Sequence, residues 1–277
     1  MNTTEFHIKG SDGIPMLADL RWEKESSPHS LIIFCHGYKG FKDWGAWDQF
    51  ANELCTDTSA VLKFNFSHNG TCVDHPSEFR RLDLFGENNY SKEVHDTEKV
   101  IEYVTSSDFP LKGIKSIHLA GHSRGGGIAI LTAYKRSEIQ SVITMASVSD
   151  FEVRFPFGRD LQEWKSRGVR FIKNGRTGQF MPHNISFLHD FYDNREALDI
   201  RSKVKVFQKP MLIVHCMDDL AVHVSEALKL KKWNPTAELK LLETGGHTFD
   251  VRHPWDSEEL SEKMLEVTKH IKAFLPS

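Results

Sequence analysis

The sequence predicts an α/β fold: a mostly parallel central sheet with helices on both faces, an N-terminal hairpin and a small cap inserted late in the chain. Three observations carry this expectation. Short apolar runs such as residues 31–35 have the length and composition of strands buried on both faces. They alternate with segments whose apolar residues step by three and four, the helical period. One long stretch, residues 150–206, breaks that rhythm.

In chain order, residues 4–23 read as a hairpin, because two extended stretches around Glu5-Phe6-His7-Ile8 and Met16-Leu17-Ala18-Asp19-Leu20 flank the turn-former Ser11-Asp12-Gly13. The polar loop Ser26-Ser27-Pro28 leads into the strand at 31–35, which ends at His36-Gly37. Trp47, Phe50, Ala51 and Leu54 have helical spacing, and 60–66 is the next strand. Tyr90, Val94, Thr97, Ile101 and Val104 mark one helix face. Residues 117–120 read as a strand, 125–135 as a helix and 141–146 as a strand. Beyond the irregular stretch come strands at 211–216 and 239–242, with a helix at about 223–233 between them. Leu260, Met264, Val267, Ile271 and Phe274 form the apolar stripe of a closing amphipathic helix. Inside 150–206, the turn Asn174-Gly175-Arg176-Thr177-Gly178 joins two short strands at 169–173 and 179–181, and a helical piece is expected around 191–203. An insertion after a central strand is expected over the carboxyl edge of the sheet, where ligands bind in such folds. Residues 1–277 therefore read as one domain, with its cap at about 150–206.

Composition narrows the function classes. Of 277 residues 39% are apolar and 26% charged, an ordinary globular balance, and a formal charge of −3 gives no footprint for nucleic acid. The N-terminus lacks the basic, apolar and small-residue succession of a secretory leader, and no apolar run approaches the roughly 20 residues of a membrane span. A cytoplasmic location is expected. Cys35, Cys55, Cys72 and Cys216 lie without CxxC spacing, so neither a zinc site nor a disulfide framework is indicated.

The strongest chemical signal is Gly121-His122-Ser123-Arg124-Gly125-Gly126, which follows one strand and opens a helix. That context makes it a nucleophile elbow: the turn is sharp enough that a side chain at Gly121 or Gly125 would meet backbone, while the serine hydroxyl is thrust outward. A P-loop would need Gly-Lys-Ser/Thr after the glycines, and a dinucleotide fingerprint would need G-x-G-x-x-G; neither pattern is present. A serine nucleophile needs a base and an acid that orients it, in the chain order Ser, Asp or Glu, His for this motif. The strand at 211–216 runs into Met217-Asp218-Asp219, and the strand at 239–242 into Gly245-Gly246-His247. His247 alone among 15 histidines sits on a glycine turn after the last strand. Two backbone N–H donors should face the developing oxyanion. Arg124, the residue after the serine, supplies one, and Tyr38, following His36-Gly37 at the end of the first central strand, supplies the other.

Taken together, Cys35-His36-Gly37-Tyr38-Lys39-Gly40, the turn at 121–126, His215-Cys216-Met217-Asp218-Asp219-Leu220-Ala221-Val222 and Gly246-His247 resemble the α/β-hydrolase superfamily. Within it the chain is similar to bacterial esterases related to dienelactone hydrolases, cinnamoyl/feruloyl esterases and serine aminopeptidase-like proteins. The resemblance runs over nearly the whole chain and is weakest in 150–206. The acid motif, usually His-Gly-x-x-Asp-x-x-Val, aligns Asp219 rather than Asp218, with Cys216 replacing the glycine. In some relatives the acid follows the preceding strand, which would nominate Asp150. The resemblance implies hydrolysis of a small-molecule carboxylic ester through an acyl-enzyme on Ser123, with Asp219 and His247 completing the triad and no cofactor or metal. Peptidase, amidase or thioesterase chemistry would use the same groups, and a silent binding module of the same fold is the non-enzymatic alternative.

Other features have plainer readings. His68, His75, His183 and His189 lack metal-ligand spacing and are expected to be solvated or locally bonded. Between residues 151 and 176, Arg154, Arg159, Lys165, Arg167, Arg170, Lys173 and Arg176 outnumber the acids. A solvated cap surface is the first reading of this excess, and an anionic substrate or leaving group the second. The aromatic residues of the insert, Phe151 to Phe191, are expected partly to hold the cap together and partly to line an acyl pocket.

Overall fold

A computed structural model describes residues 1–275. Strands β1 (Asn2–Lys9) and β2 (Pro15–Trp22) form the expected hairpin, antiparallel with Asn2 opposite Trp22. The alternation follows: β3 (Ser30–Cys35), α1 (Trp47–Leu54), β4 (Ser59–Phe64), α2 (Leu82–Gly86), α3 (Tyr90–Val104), β5 (Ser116–His122), α4 (Arg124–Lys135) and β6 (Ile139–Met145). The insert contains α5 (Gly158–Arg167), the hairpin β7 (Val169–Lys173) and β8 (Phe180–Asn184), α6 (Ser186–Asp193) and α7 (Ile200–Lys205). Then come β9 (Met211–Cys216), α8 (Ser225–Trp233), β10 (Glu238–Leu242) and α9 (Glu262–Phe274).

Eight strands make one sheet in the order β1-β2-β4-β3-β5-β6-β9-β10, parallel from β4 to β10. The chain steps outward from β3 to β4 and then returns to β5 on the other side of β3. That reversal opens a crevice at the carboxyl ends of β3 and β5, the place where open α/β sheets bind ligands. The period of two along each strand builds a core on each face. Leu31, Ile33 and Cys35 point to the layer of α3, α4 and α8, while Ile32 and Phe34 point to α1 and α9. Cys35 and Cys216 are buried at strand ends as small apolar groups. Among the described residues no helix is long and apolar enough to cross a membrane.

The insert leaves from the carboxyl end of β6, as expected, but its helices differ from the reading of the sequence. In place of one helix around 191–203 there are two. The first, α6, ends at Asp193, and Asp199 caps the second by accepting from the Ser202 amide at 3.2 Å. That second helix, α7, packs on α4 and α8, so it belongs to the layer beside the sheet rather than to the cap. Two helices had no anticipated counterpart, α5 and the five-residue α2. Helix α5 is polar on almost every face and buries only Trp164, which leaves almost no apolar period to read.

Candidate active site

Ser123 occupies the turn between β5 and α4 with φ 57° and ψ −119°. A non-glycine residue there costs about 1–3 kcal/mol and persists only where its surroundings enforce it. Here the Ser123 amide donates to the Met145 carbonyl at 2.9 Å, and its carbonyl accepts from Gly126 at 3.1 Å. The two flanking glycines are required by contact. A Cβ on Gly121 would lie 2.2 Å from the Gly125 carbonyl oxygen, and one on Gly125 would lie 2.2 Å from that of Cys35.

His247 arrives on the loop after β10. Its Nε2 accepts the Ser123 hydroxyl at 3.0 Å, and its Nδ1–H donates to Asp219 Oδ2 at 2.8 Å. Of the three candidate acids, Asp219 is the one that reaches the imidazole. Its second oxygen accepts from the amides of Ala221 and Val222 at 2.8 and 2.9 Å. Burial works to raise the Asp219 carboxyl, but His215, His247 and the Val222 amide outweigh it and hold the group well below the usual carboxylate range. Asp218 turns the other way and accepts from the amides of Gly245 and Gly246 at 3.3 and 2.9 Å, so it fixes the loop that carries His247. Asp150 accepts from the Glu152 amide at 2.7 Å and lies on a separate cleft.

The loop after β3 faces the serine. Gly37 is tightly placed, since a Cβ there would sit 3.1 Å from that of Ser123. His36 is buried beneath the loop. Its Nδ1–H donates to the Gly37 carbonyl at 2.9 Å and its Nε2 accepts from the Phe66 amide at 3.4 Å. Burial pulls it down to about 4, so it acts as a neutral brace. The amides of Tyr38 and Arg124 donate to no other group among the described residues, and both residues line the cavity that holds Ser123 and His247. His122 ties the two halves together: its Nε2–H donates to the His247 carbonyl at 2.8 Å.

This cavity measures about 410 Å³. Tyr90, Phe151, Phe155, Trp164 and Phe187 form its apolar walls, so half of the insert's aromatic set faces the serine. Phe157, Phe171 and Phe180 do neither of the two expected things, being 89%, 58% and 62% exposed. His183 is locally bonded as expected, its Nδ1–H donating to the Met181 carbonyl at 3.3 Å, but it also reaches across the chain. It is buried on β8, its main-chain carbonyl accepts from Trp164 Nε1–H at 2.8 Å, and its Nε2 accepts the Tyr38 hydroxyl at 2.8 Å. No sequence motif marks this histidine; alternation along a two-stranded hairpin, which puts Arg170, Ile172 and His183 on the inner face, is the one signal that could have found it. Arg154 and Arg170 also line the cavity, whereas Arg159, Lys165, Arg167 and Lys173 are exposed as expected. The one acidic triple with metal-like spacing among the described residues, Asp19, Asp43 and Asp48, is not part of the cavity's lining and is already filled by the ammonium groups of Lys42 and Lys63.

No family model matches this sequence, and no curated protein matches it. Solved structures do. Est1E from Butyrivibrio proteoclasticus shares 20% identity over 98% of this chain and 96% of its own, with a TM-score of 0.70. Mouse alpha/beta hydrolase domain-containing protein 10 shares 16% over 98% and 97%, at 0.68. The dienelactone hydrolase from Anabaena variabilis shares 12% over 99% and 96%, at 0.64. At these identities the likeness establishes the α/β-hydrolase fold.

Proposed function

We propose that the protein is a serine hydrolase that cleaves carboxylic esters. The observation that carries this reading is the Ser123–His247–Asp219 hydrogen-bonded chain, set on a strained turn beside two unspent backbone amides. The similarity of the fold to esterases supports it.

The residues divide the work by their chemistry. His247 Nε2 takes the Ser123 proton as the hydroxyl oxygen attacks the acyl carbonyl. Asp219 keeps the proton on Nδ1 and stabilises the imidazolium that forms. The Tyr38 and Arg124 amides, the latter at the start of α4, receive the oxyanion. The alcohol leaves with the proton returned by His247, and water then opens the acyl-enzyme with His247 again as base. The aromatic walls suit an apolar acyl group.

The test is labelling with a fluorophosphonate together with turnover of chromogenic esters. Ser123 should be the modified residue, and Ser123→Ala should lose both signals. An alanine variant with full esterase activity, or a wild-type chain that neither labels nor turns over, sinks the reading.

A further inference from the structure

The cavity is charged in one direction. Four of its lining side chains are cationic, Lys39, Arg124, Arg154 and Arg170, and none is acidic. Two of the four are at least partly spent within the protein. Arg124 donates to Glu93 at 3.1 Å and lies over the rings of Tyr38, Tyr90 and Phe187 at 4.3, 5.1 and 5.4 Å. Burial opposes its charge, and its neighbours, Glu93 foremost with Tyr90 and Tyr38, outweigh that. Arg154 stands 3.7 Å from Glu226. Lys39 and Arg170 have no acidic partner among the described residues. Lys39 has only the Tyr38 ring, at 5.2 Å. Arg170 sits directly across the cap hairpin from His183, the residue that holds Tyr38.

A solvated face is the plain explanation for unpaired cations, and it fits Arg159, Arg167 and Lys173 on the outside of the cap. It does not fit these two, which are half-buried and aimed inward beside a third cation. Burial and the Arg124 charge both act to pull the Lys39 ammonium down. Like charges in a partly enclosed cavity repel, and the free protein gains nothing from that cost; an incoming anion reverses its sign. A guanidinium fork matches a planar carboxylate with two parallel hydrogen bonds.

We propose that the substrate ester carries a carboxylate, taken by Arg170 and Lys39 at the cap side of the cavity while the apolar body of the substrate lies against the aromatic walls. This rests on Ser123 being the nucleophile of the same cavity. It names a substrate class, amphipathic anionic esters, in place of neutral ones.

The experiment compares matched substrates. Mono-4-nitrophenyl adipate against 4-nitrophenyl hexanoate places the charge on the acyl side. The hexanoate of 5-hydroxy-2-nitrobenzoate against 4-nitrophenyl hexanoate places it on the alcohol side. In one of these pairs the anionic ester should have a kcat/KM at least tenfold above the neutral one. That ratio should fall at least tenfold in Arg170→Gln, fall in Lys39→Gln, and shrink in 0.5 M salt. A ratio near one in both pairs, or a ratio unmoved by Arg170→Gln, overturns the proposal. A second measurement separates its failure from failure of the hydrolase reading. Calorimetry on the Ser123→Ala variant compares adipic acid monoanilide with hexananilide, and the anion should bind at least tenfold more tightly. If no ester is turned over yet the anion binds so, the anion site stands and the catalytic reading falls; equal binding of the two anilides removes the anion site whatever the turnover.

Discussion

Replacing Asp219 by asparagine tests the proposed mechanism at its least replaceable atom. Asp219 Oδ1 accepts two backbone N–H groups, from Ala221 and Val222 at 2.8 and 2.9 Å, while Oδ2 accepts from His247 Nδ1–H. An asparagine has one carbonyl oxygen, and the pair of amides claims it. Its NH2 group then faces Nδ1, so two donors oppose each other. The imidazole escapes by moving its proton to Nε2, which can no longer accept from Ser123. Rotating the amide by half a turn restores the imidazole bond only by taking the acceptor from both amides and stranding the buried Val222 N–H, at about 1–3 kcal/mol. The expected outcome is a folded enzyme of the wrong tautomer with kcat lowered about 10⁴-fold, the scale seen when a triad acid loses its charge. That corresponds to about 5 kcal/mol of transition-state stabilisation. Steady-state hydrolysis of a chromogenic ester measures it, with the rate of fluorophosphonate labelling as a second readout. Asp218→Asn is the internal comparison. The two Asp218 oxygens each brace one amide, Gly246 at 2.9 Å and Gly245 at 3.3 Å; an asparagine oxygen keeps one of them and no bond to His247 is touched, so the loss should stay within about tenfold. A folded Asp219→Asn variant losing less than tenfold, or a larger loss at Asp218, would refute the reasoning.

Two further expectations come from the frame around the site. Burial depresses His36 and His118 to about 4 and His122 and His183 to about 3, each below the value of about 6.5 it takes when unfolded. The unfolded chain therefore binds these protons first, so stability is full above that value and is lost as pH falls toward the folded values. Four such groups remove about 5 kcal/mol between pH 7.5 and 5.5, readable as a drop in urea midpoint, and a loss below about 1 kcal/mol would mean the histidines are not held neutral. Gly125→Ala forces a methyl group to within 2.2 Å of the Cys35 carbonyl oxygen, and backbone on both sides cannot yield. It should destabilise by about 3 kcal/mol or more and slow Ser123 labelling, whereas Gly175→Ala, with nothing within 4 Å, should leave the melting temperature nearly unchanged.

Local chemistry wrote much of this molecule into its sequence. The strand and helix periods around the sheet were legible because each element buries a face whose spacing its own backbone fixes: 211–216 lies in the sheet as read, and the stripe from Met264 to Ile271 lies inward. The elbow was legible for the same reason, since its glycines answer to contacts a few residues away and to the neighbouring strand end. What tertiary structure alone decided lies where partners come from distant parts of the chain. The acid motif already favoured Asp219 over Asp218, but the contacts themselves, one carboxylate meeting an imidazole 28 residues later and the other the amides beside it, belong to the tertiary structure. The link from His183 to Tyr38 spans 145 residues and has no spacing to betray it. The cap divides along the same line. Its hairpin turn was visible in residues 174–178, but whether an arginine on it faces water or the cavity of Ser123 depends on which face of a two-stranded ribbon that cavity covers. That burial is decided by packing against the rest of the fold, and a half-polar ribbon carries no apolar period strong enough to announce it.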